Sequence, residues 1–192
     1  MKKIEEILNF IVEIEKLKGI QRKTKPVGFE RYENSAEHSW HVCLSALMLK
    51  DFANEPVNID RVIKMLLIHD LGEIDAGDTI IYASETNELK GKEAAGIKRI
   101  LSILPDGMED DFMELWYEFE AGATAEARFA KAIDRVPPLL HNIHGDGHSW
   151  KAHGITKDKV FSVNQRIETG SKELWSVMRS KLESAVDDGI LK

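Results

Sequence analysis

The adjacent pair His69-Asp70 is the feature of this sequence with the clearest chemical potential. It follows the apolar run of residues 62–68 and precedes a glycine, so it lies where a buried helix is expected to end. An imidazole and a carboxylate presented together can both bind a divalent cation while a coordination position stays open. Further ligands are available at His38 and Asp134, each in its own helix-like segment. The sequence therefore predicts a metal centre assembled from separate helices.

The order of these residues resembles the signature of a known superfamily. His38, then His69-Asp70, then Asp134 is similar to the ligand order of the HD-domain metal-dependent phosphohydrolases. The flanks resemble its YfbR-like 5'-deoxynucleotidase branch in residues 31–39 (RYENSAEHS), 69–78 (HDLGEIDAGD), 134–142 (DRVPPLLHN) and 150–155 (WKAHGI). An HD dipeptide alone is weak support, but four ligands in order with these flanks are specific. The resemblance covers residues 5–180, nearly the whole chain.

The resemblance implies one divalent transition-metal ion held by His38, His69, Asp70 and Asp134. Two imidazoles and two carboxylates suit Mn, Co, Fe, Ni or Zn better than Ca or Mg. Such an ion lowers the pKa of water and neutralises charge on a phosphoryl group. We therefore expect a metal-dependent phosphomonoesterase that acts on nucleoside or deoxynucleoside 5'-monophosphates, or on similar small phosphate esters.

Further residues are candidates for catalysis and substrate binding. Glu73 follows the ligand Asp70 by three residues, which on a helical turn places it beside the metal. The resemblance assigns the Glu73 position to proton transfer, whereas a solvated loop acid is the alternative. Asp78 matches an acid that contacts the sugar in the same branch, but it could equally cap a turn. Arg22 and Arg31 offer guanidinium groups to a phosphate, with a surface position as the alternative for each.

The chain departs from the branch in the segment that selects the sugar. The branch places an Arg-Trp pair there to grip phosphate and exclude the ribose 2'-hydroxyl, but this chain has Lys23 after Arg22 and no tryptophan in the segment. Unless a bulky residue such as Phe29 or Tyr32 takes over the exclusion, we expect ribonucleotides and deoxyribonucleotides to be hydrolysed with similar efficiency.

Each proposed ligand also has an ordinary structural interpretation. His69 and Asp70 could form a hydrogen-bonded pair at a helix C-terminus, where a cationic imidazole complements the dipole. His38 could be a semi-buried histidine with satisfied hydrogen bonds, and Asp134 could pair with a neighbouring arginine. The metal interpretation is favoured because only it explains the ordered set as a whole.

The remaining histidines are not assigned to the site. His41 could share a helix face with His38, but it matches no family ligand, so a packing or surface role is favoured. Four more could suggest a second metal site; they are His141, His144, His148 and His153. A structural or lid-like role for the segment from His141 to His153 is the favoured interpretation.

Composition bounds the class of protein. The 192 residues, 43% hydrophobic and 31% charged, suit one globular domain over residues 1–192. A net charge of −7 argues against nucleic-acid and acidic-membrane partners, which need a basic face. Charges within the first six residues argue against a secretory signal, and no apolar run approaches the ~20 residues of a membrane span. The expected location is therefore the cytoplasm.

Hydrophobic periodicity predicts helices almost throughout and no strand. The predicted helices cover residues 4–17, 35–52, about 59–68, 87–104, 105–119, 123–136 with a restart at Pro137-Pro138, and 156–185, with loops at 20–34, 72–86 and 144–153. Trp40 and Trp116 are expected in the core. We predict an all-α, single-domain helical bundle of the HD-domain type, and by analogy with its relatives a homodimer.

Three functional classes remain open at this level. The favoured class is the enzyme, because a protein that only binds a nucleotide does not need the proton-transfer group Glu73. The second is a metal-bound nucleotide-sensing or interaction module with little turnover. The third is a helical bundle without metal, which would make the order of the four ligands a coincidence.

Overall fold

The computed structural model describes residues 1–83 and 86–192. These residues contain α-helices, short 3₁₀ turns and one isolated bridge between Gln21 and Asn34, and they include no strand. None of the described helices combines the length and the apolar character that crossing a membrane requires. The helices are α1 (Lys2–Ile14), α2 (Ser35–Leu49), α3 (Ile59–Ile68), α4 (Glu73–Ala76), α5 (Asn87–Leu101), α6 (Met108–Ala121), α7 (Ala125–Asp134), α8 (Val136–His144), α9 (His148–Ala152), α10 (Lys157–Asn164), α11 (Ile167–Gly170) and α12 (Lys172–Asp187). The predicted all-α fold is confirmed.

Local sequence signals fix the ends of the helices that carry the proposed ligands. The Asn34 side chain accepts a hydrogen bond from the Glu37 amide at 3.0 Å, and Glu37 Oε1 accepts one from the Asn34 amide at 2.7 Å, so a capping box opens α2. Asn58 caps α3, and α3 ends at His69. Asp134 is the last residue of α7, because the proline-containing start of α8 follows at once.

Apolar burial packs these helices against one another. The first core cluster joins α2, α3, α5, α6 and α7 and includes the fully buried Val42, Leu66 and Ile133. A second cluster lies around α8, α10 and α12 and includes Trp150 and Leu182. The proposed ligands therefore lie at the ends and on the buried faces of helices that the first cluster holds together.

Two glycines bring α5 close to the turn that follows Asp70. A Cβ atom on Gly72 would lie 2.6 Å from the Glu93 carbonyl oxygen, and one on Gly96 would lie 2.7 Å from the Gly72 carbonyl oxygen. Any larger residue at either position would force the two backbones apart. This contact sets the start of α4, whose first residue is Glu73.

Several sequence predictions of local structure were wrong. The predicted last helix is instead α10, α11 and α12, because Gly170 lies against α7 and Ser171 caps a new helix. A Cβ on Gly170 would lie 2.4 Å from the Arg128 carbonyl oxygen, so packing against α7 decides where the helix breaks. The predicted loops at 72–86 and 144–153 contain α4 and α9; Ser84 and Glu85 of the first lie outside the described residues. Trp40 is 64% exposed rather than in the core.

Candidate metal centre and active site

Three of the four predicted metal ligands converge inside the bundle. One donor atom from each of His38, His69 and Asp134 lies within 4.8 Å of the other two. Asp134 Oδ1 is 2.8 Å from His38 Nε2 and 3.3 Å from His69 Nε2. The donors come from α2, the end of α3 and the end of α7, so residues nearly a hundred positions apart meet at one point.

The protonation pattern of His69 fits a metal ligand. Its Nδ1 lies 2.8 Å from the Leu66 carbonyl oxygen, which can only accept, so Nδ1 carries a proton and Nε2 is the nitrogen that offers a lone pair when a metal displaces its proton. His69 Nε2 is buried and has no hydrogen-bond partner among the described residues. Carboxylate oxygens of Asp70 and Asp134 nevertheless lie 3.1 and 3.3 Å from it. A lone pair facing two carboxylates is the donor arrangement that a divalent cation requires.

Asp70, the fourth predicted ligand, lies beside the three-donor group and not within it. Its Oδ1 faces His69, while its Oδ2 accepts a hydrogen bond of 2.8 Å from Arg22 Nη1. Asp70 therefore has one oxygen directed towards the metal centre and one held by a guanidinium. It links the proposed metal site to the cationic side of the cavity.

The charged groups of the centre shift one another's pKa values. Burial opposes ionisation of Asp134, but the hydrogen bond from His38 and the adjacent imidazole of His69 hold the pKa of its carboxyl well below the usual range. Burial also disfavours the imidazolium of His69, yet Asp70 and Asp134 raise the pKa of His69 to about 9. The carboxylates thus attract positive charge at this point, and a metal ion competes with protons for it.

A buried carboxylate supports His38 from the side opposite Asp134. Glu33 Oε2 lies 3.4 Å from His38 Nδ1. His38 is fully buried, and Glu33 is only 2% exposed. Metal-ligating histidines commonly present their second ring nitrogen to a carboxylate, which fixes the ring orientation. Glu33 occupies that position for His38.

Glu73 lies at the same centre, as its spacing from Asp70 predicts. Its Oε2 accepts a hydrogen bond of 2.7 Å from the hydroxyl of Ser35, which is fully buried. Burial, together with the negative charge of Asp70, raises the pKa of Glu73 to about 9. A buried carboxyl group that holds a proton near neutral pH has the property required of a proton donor.

Arg22 is the cation that the structure brings to the site. Its guanidinium lies 2.8 Å from Asp70, 3.4 Å from Glu33 and 3.6 Å from Asp78. Burial opposes its charge, but Asp70 and Asp78 raise the pKa of Arg22 above its usual value. The loop that carries it is fixed by backbone hydrogen bonds from the Arg22 amide to the Glu33 carbonyl, 2.8 Å, and from the Glu33 amide to the Thr24 carbonyl, 2.9 Å.

Arg31 does not reach the site, in contrast to its predicted role in substrate binding. Its guanidinium donates two hydrogen bonds to the carboxylate of Glu37, at 2.5 and 2.8 Å, and lies 5.3 Å from the ring of Phe29. The capping box of α2 places Glu37 on the outside of the helix, so it draws Arg31 to the surface. Of the two arginine candidates, the structure therefore brings Arg22 to the metal centre and places Arg31 at the surface.

Asp78 lies at the site and does not cap the turn at Gly77. Its Oδ1 is 3.6 Å from Arg22 Nη1, and its Oδ2 is buried without a hydrogen-bond partner among the described residues. Burial raises the pKa of Asp78, and Asp70 adds to the effect. The unpaired oxygen is available to a hydroxyl group of a bound molecule.

A cavity of about 220 Å³ opens beside the metal centre. The polar groups that line it include Arg22, Asp70, Glu73, Asp78 and Asp134. Lys23 and Lys131 add positive charge, and the aromatic side chains of Tyr82, Trp116 and Phe119 also line it. The cavity therefore combines charged groups that suit a phosphate with apolar groups that suit a flat ring.

Sequence reasoning gave no role to Glu33 or Ser35, although both lie in the segment that resembles the family. Each is a buried polar residue next to the Asn34 cap, and each contacts a residue of the proposed site. The signal in the sequence was their position. Residues around the N-cap of a helix that carries a metal ligand point back towards that ligand. Burial, which made the role visible, is decided by the fold.

Comparisons of the chain with known proteins agree with this site geometry. A family model described as HD domain matches residues 14–175. The chain belongs to the HD domain family. Its structure superposes with a TM-score of 0.93 on the crystal structure of a protein from Magnetospirillum magnetotacticum MS-1 named a predicted metal-dependent phosphohydrolase. The two are 44% identical, and the match covers 100% of this chain and 99% of the other.

Curated relatives of this HD domain chain carry the name 5'-deoxynucleotidase. The human protein HDDC2 is 30% identical over 58% of this chain and 53% of its own length. YBR242W of Saccharomyces cerevisiae is 28% identical over 97% of this chain and 80% of its own length. The chain thus spans about half the length of HDDC2 relatives that it matches.

We predict that Asp70→Ala removes the bound metal. The substitution deletes both a negative charge and a ligand oxygen, while Asp75→Ala removes an exposed carboxylate from the adjacent turn that pairs with Arg99. After purification without chelator, metal content measured by elemental analysis should fall close to zero in Asp70→Ala and stay at the wild-type level in Asp75→Ala. Full occupancy in Asp70→Ala would refute the assignment of this ligand.

Proposed function

We propose that this HD domain protein is a metal-dependent phosphomonoesterase that hydrolyses nucleoside or deoxynucleoside 5'-monophosphates. The observation that carries the proposal is the protonatable Glu73, which lines the same cavity as the ligands His69, Asp70 and Asp134 and the guanidinium of Arg22. The names of the Magnetospirillum and HDDC2 relatives support the reaction class and the nucleotide substrate.

The proposed ligands of one transition-metal ion are His38, His69, Asp70 and Asp134, and Mn, Co, Fe, Ni or Zn fits their donor atoms. Such an ion supplies activation of water and neutralisation of phosphoryl charge. The side chains do the remaining work. A bound phosphate replaces some of the carboxylates around Arg22. Arg22 then donates hydrogen bonds to the non-bridging phosphate oxygens and orients the phosphorus towards the metal centre.

Glu73 handles the proton in this scheme. Hydrolysis of a phosphate ester gives an alcohol, so the leaving 5'-oxygen must gain a proton as the P–O bond breaks. A buried carboxyl with a raised pKa holds that proton at neutral pH, and the Ser35 hydroxyl fixes its direction by donating to Oε2. Asp78, with its unpaired oxygen, accepts a hydrogen bond from a sugar hydroxyl.

We predict that Glu73→Gln retains the metal and loses turnover. The amide keeps the size of the side chain and removes its exchangeable carboxyl proton, and groups of this type contribute about 10²- to 10⁴-fold in rate. Release of inorganic phosphate from dAMP and metal content should be measured on the same preparation. Wild-type kcat with intact metal would reduce Glu73 to a structural acid.

A comparison of two arginines tests the phosphate site. We predict that Arg22→Lys lowers kcat/KM by about tenfold or more, because lysine cannot reproduce the two-pronged guanidinium contact. Arg31→Lys is the matched control, since Arg31 lies on the surface beside Glu37, and it should leave kcat/KM unchanged. Steady-state kinetics on dAMP decide the assignment, which an equal loss in both variants would contradict.

Sugar preference follows from the residue after Arg22. Lys23 lines the cavity, and neither Phe29 nor Tyr32 does, so no bulky group from this loop covers the position of a 2'-hydroxyl. We predict kcat/KM values for AMP and dAMP within about tenfold, or ~1.4 kcal/mol. Lys23→Trp should shift the ratio towards dAMP. A preference of several hundredfold for dAMP in the wild type would show that another residue excludes the hydroxyl.

We also propose that the protein is a homodimer that pairs through the outer face of α2. Trp40, Leu44, Leu47 and Met48 are exposed and recur at helical spacing on one face of this helix. An exposed apolar stripe with a tryptophan at one end has the composition of an interface, and a two-fold axis would place the stripe against its own copy.

Sedimentation velocity tests the dimer with two variants that each replace an exposed apolar residue by glutamate. Leu47→Glu places a charge inside the stripe and is expected to give monomers. Val177→Glu places the same charge at another exposed apolar position, on α12, and should leave the dimer intact. A wild-type monomer at micromolar concentration would contradict the proposal.

A further inference from the structure

A second group of metal-type donors lies next to the proposed metal centre. One donor atom from each of Glu33, His41 and His141 lies within 4.8 Å of the other two. His141 Nδ1 is 3.9 Å from Glu33 Oε2, and the rings of His41 and His141 are 6.0 Å apart. The donors come from the loop before α2, from α2 itself and from α8. Tertiary packing therefore joins two histidines that are a hundred residues apart in the chain.

The oxygen at the centre of this group is unsatisfied. Glu33 is 2% exposed, and its Oε2 is buried with no hydrogen-bond partner among the described residues. The nearest nitrogen donors, His38 Nδ1 and Arg22 Nε, both lie 3.4 Å from it. The oxygen therefore keeps the capacity to bind an ion or a water molecule.

The histidines of the group are suited to supply lone pairs. Burial lowers the pKa of His141, which favours the neutral ring that a metal ligand requires. Thr24 Oγ1 lies 3.3 Å from His141 Nδ1; when the hydroxyl accepts a hydrogen bond from Nδ1–H, Nε2 carries the lone pair that a ligand needs. His41 is only partly buried, and it gives the group a route to solvent.

We propose that Glu33, His41 and His141 form a second divalent-cation site, which takes zinc, beside the proposed catalytic metal centre. Two imidazoles and one carboxylate, with a water molecule in the fourth position, form a tetrahedral donor set that zinc accepts. Bonds of about 2.1 Å place tetrahedral donors about 3.4 Å apart, so side-chain shifts of about an ångström close the site.

The site is coupled to the catalytic centre through Glu33. The oxygen that would bind the second ion also lies 3.4 Å from His38 Nδ1 and 3.4 Å from Arg22 Nε. An ion that draws this oxygen towards His41 and His141 weakens its hold on the ligand His38 and on Arg22. Excess zinc should therefore slow hydrolysis, a consequence that rests on the proposed function.

Zinc stoichiometry tests the site without reference to activity. Equilibrium dialysis against zinc should give two ions per wild-type chain and one per chain for the double variant His41→Gln/His141→Gln. The matched control His144→Gln/His153→Gln also removes two imidazoles, both exposed, and should still bind two ions. Two ions in the His41/His141 variant would overturn the proposal, as would a single ion in the wild type.

A single variant tests the site if the double variant fails to fold. If its helical circular dichroism is lost, His41→Gln alone is used, because His41 is only partly buried. It should weaken the second zinc dissociation constant by about tenfold, since one of three protein ligands is removed. An unchanged dissociation constant for the second ion would overturn the proposal.

The coupling is tested by hydrolysis of dAMP with increasing zinc after the first site is filled. The wild type and the His144/His153 control should be slowed several-fold, and the His41/His141 variant should not. Equal inhibition of all three would refute the coupling through Glu33. Absence of any hydrolysis would contradict the proposed function alone, because the stoichiometry would still report on the second site.

Discussion

The carboxylate of Asp134 between the imidazoles of His38 and His69 is the contact on which the rest of the structure depends. One oxygen lies 2.8 Å from the first ring and 3.3 Å from the second, inside the bundle. Burying a carboxylate is costly unless cations or donors surround it. Because the three residues lie on α2, α3 and α7, the apolar core must hold these helices at separations that a single ion can span. A shift of about an ångström between them would separate the donors.

The proposed site carries more negative charge than its arginine neutralises. The carboxylates of Glu33, Asp70, Glu73, Asp78 and Asp134 lie around the partly buried Arg22. One guanidinium cannot balance all of them, so the pKa values of Glu73 and Asp78 rise. This imbalance favours the binding of a cation and leaves Glu73 able to hold a proton. The metal binding and the proton transfer that we propose therefore have the same electrostatic origin.

Sequence reasoning succeeded where a signal is local to the chain. The predicted helix starts at residues 35 and 59 and the restart at Pro137-Pro138 depend on contacts within a few residues, and α2, α3 and α8 begin at Ser35, Ile59 and Val136. It failed where neighbours distant in sequence decide the outcome. Packing of Gly170 against α7 breaks the last predicted helix, and only the fold shows that Asp70 binds Arg22.

The sequence by itself determined the helical architecture, the family signature and the three helix segments that carry His38, His69-Asp70 and Asp134. Periodicity and capping are short-range, so they can be recognised without knowing the fold. Only the tertiary structure decided that Glu33 lies behind His38, that Arg22 rather than Arg31 faces Asp70, and that His41 meets His141. Those contacts join positions from five to a hundred residues apart. These contacts exist because apolar burial brings the helices together. The charged groups enclosed between the helices then pair with one another.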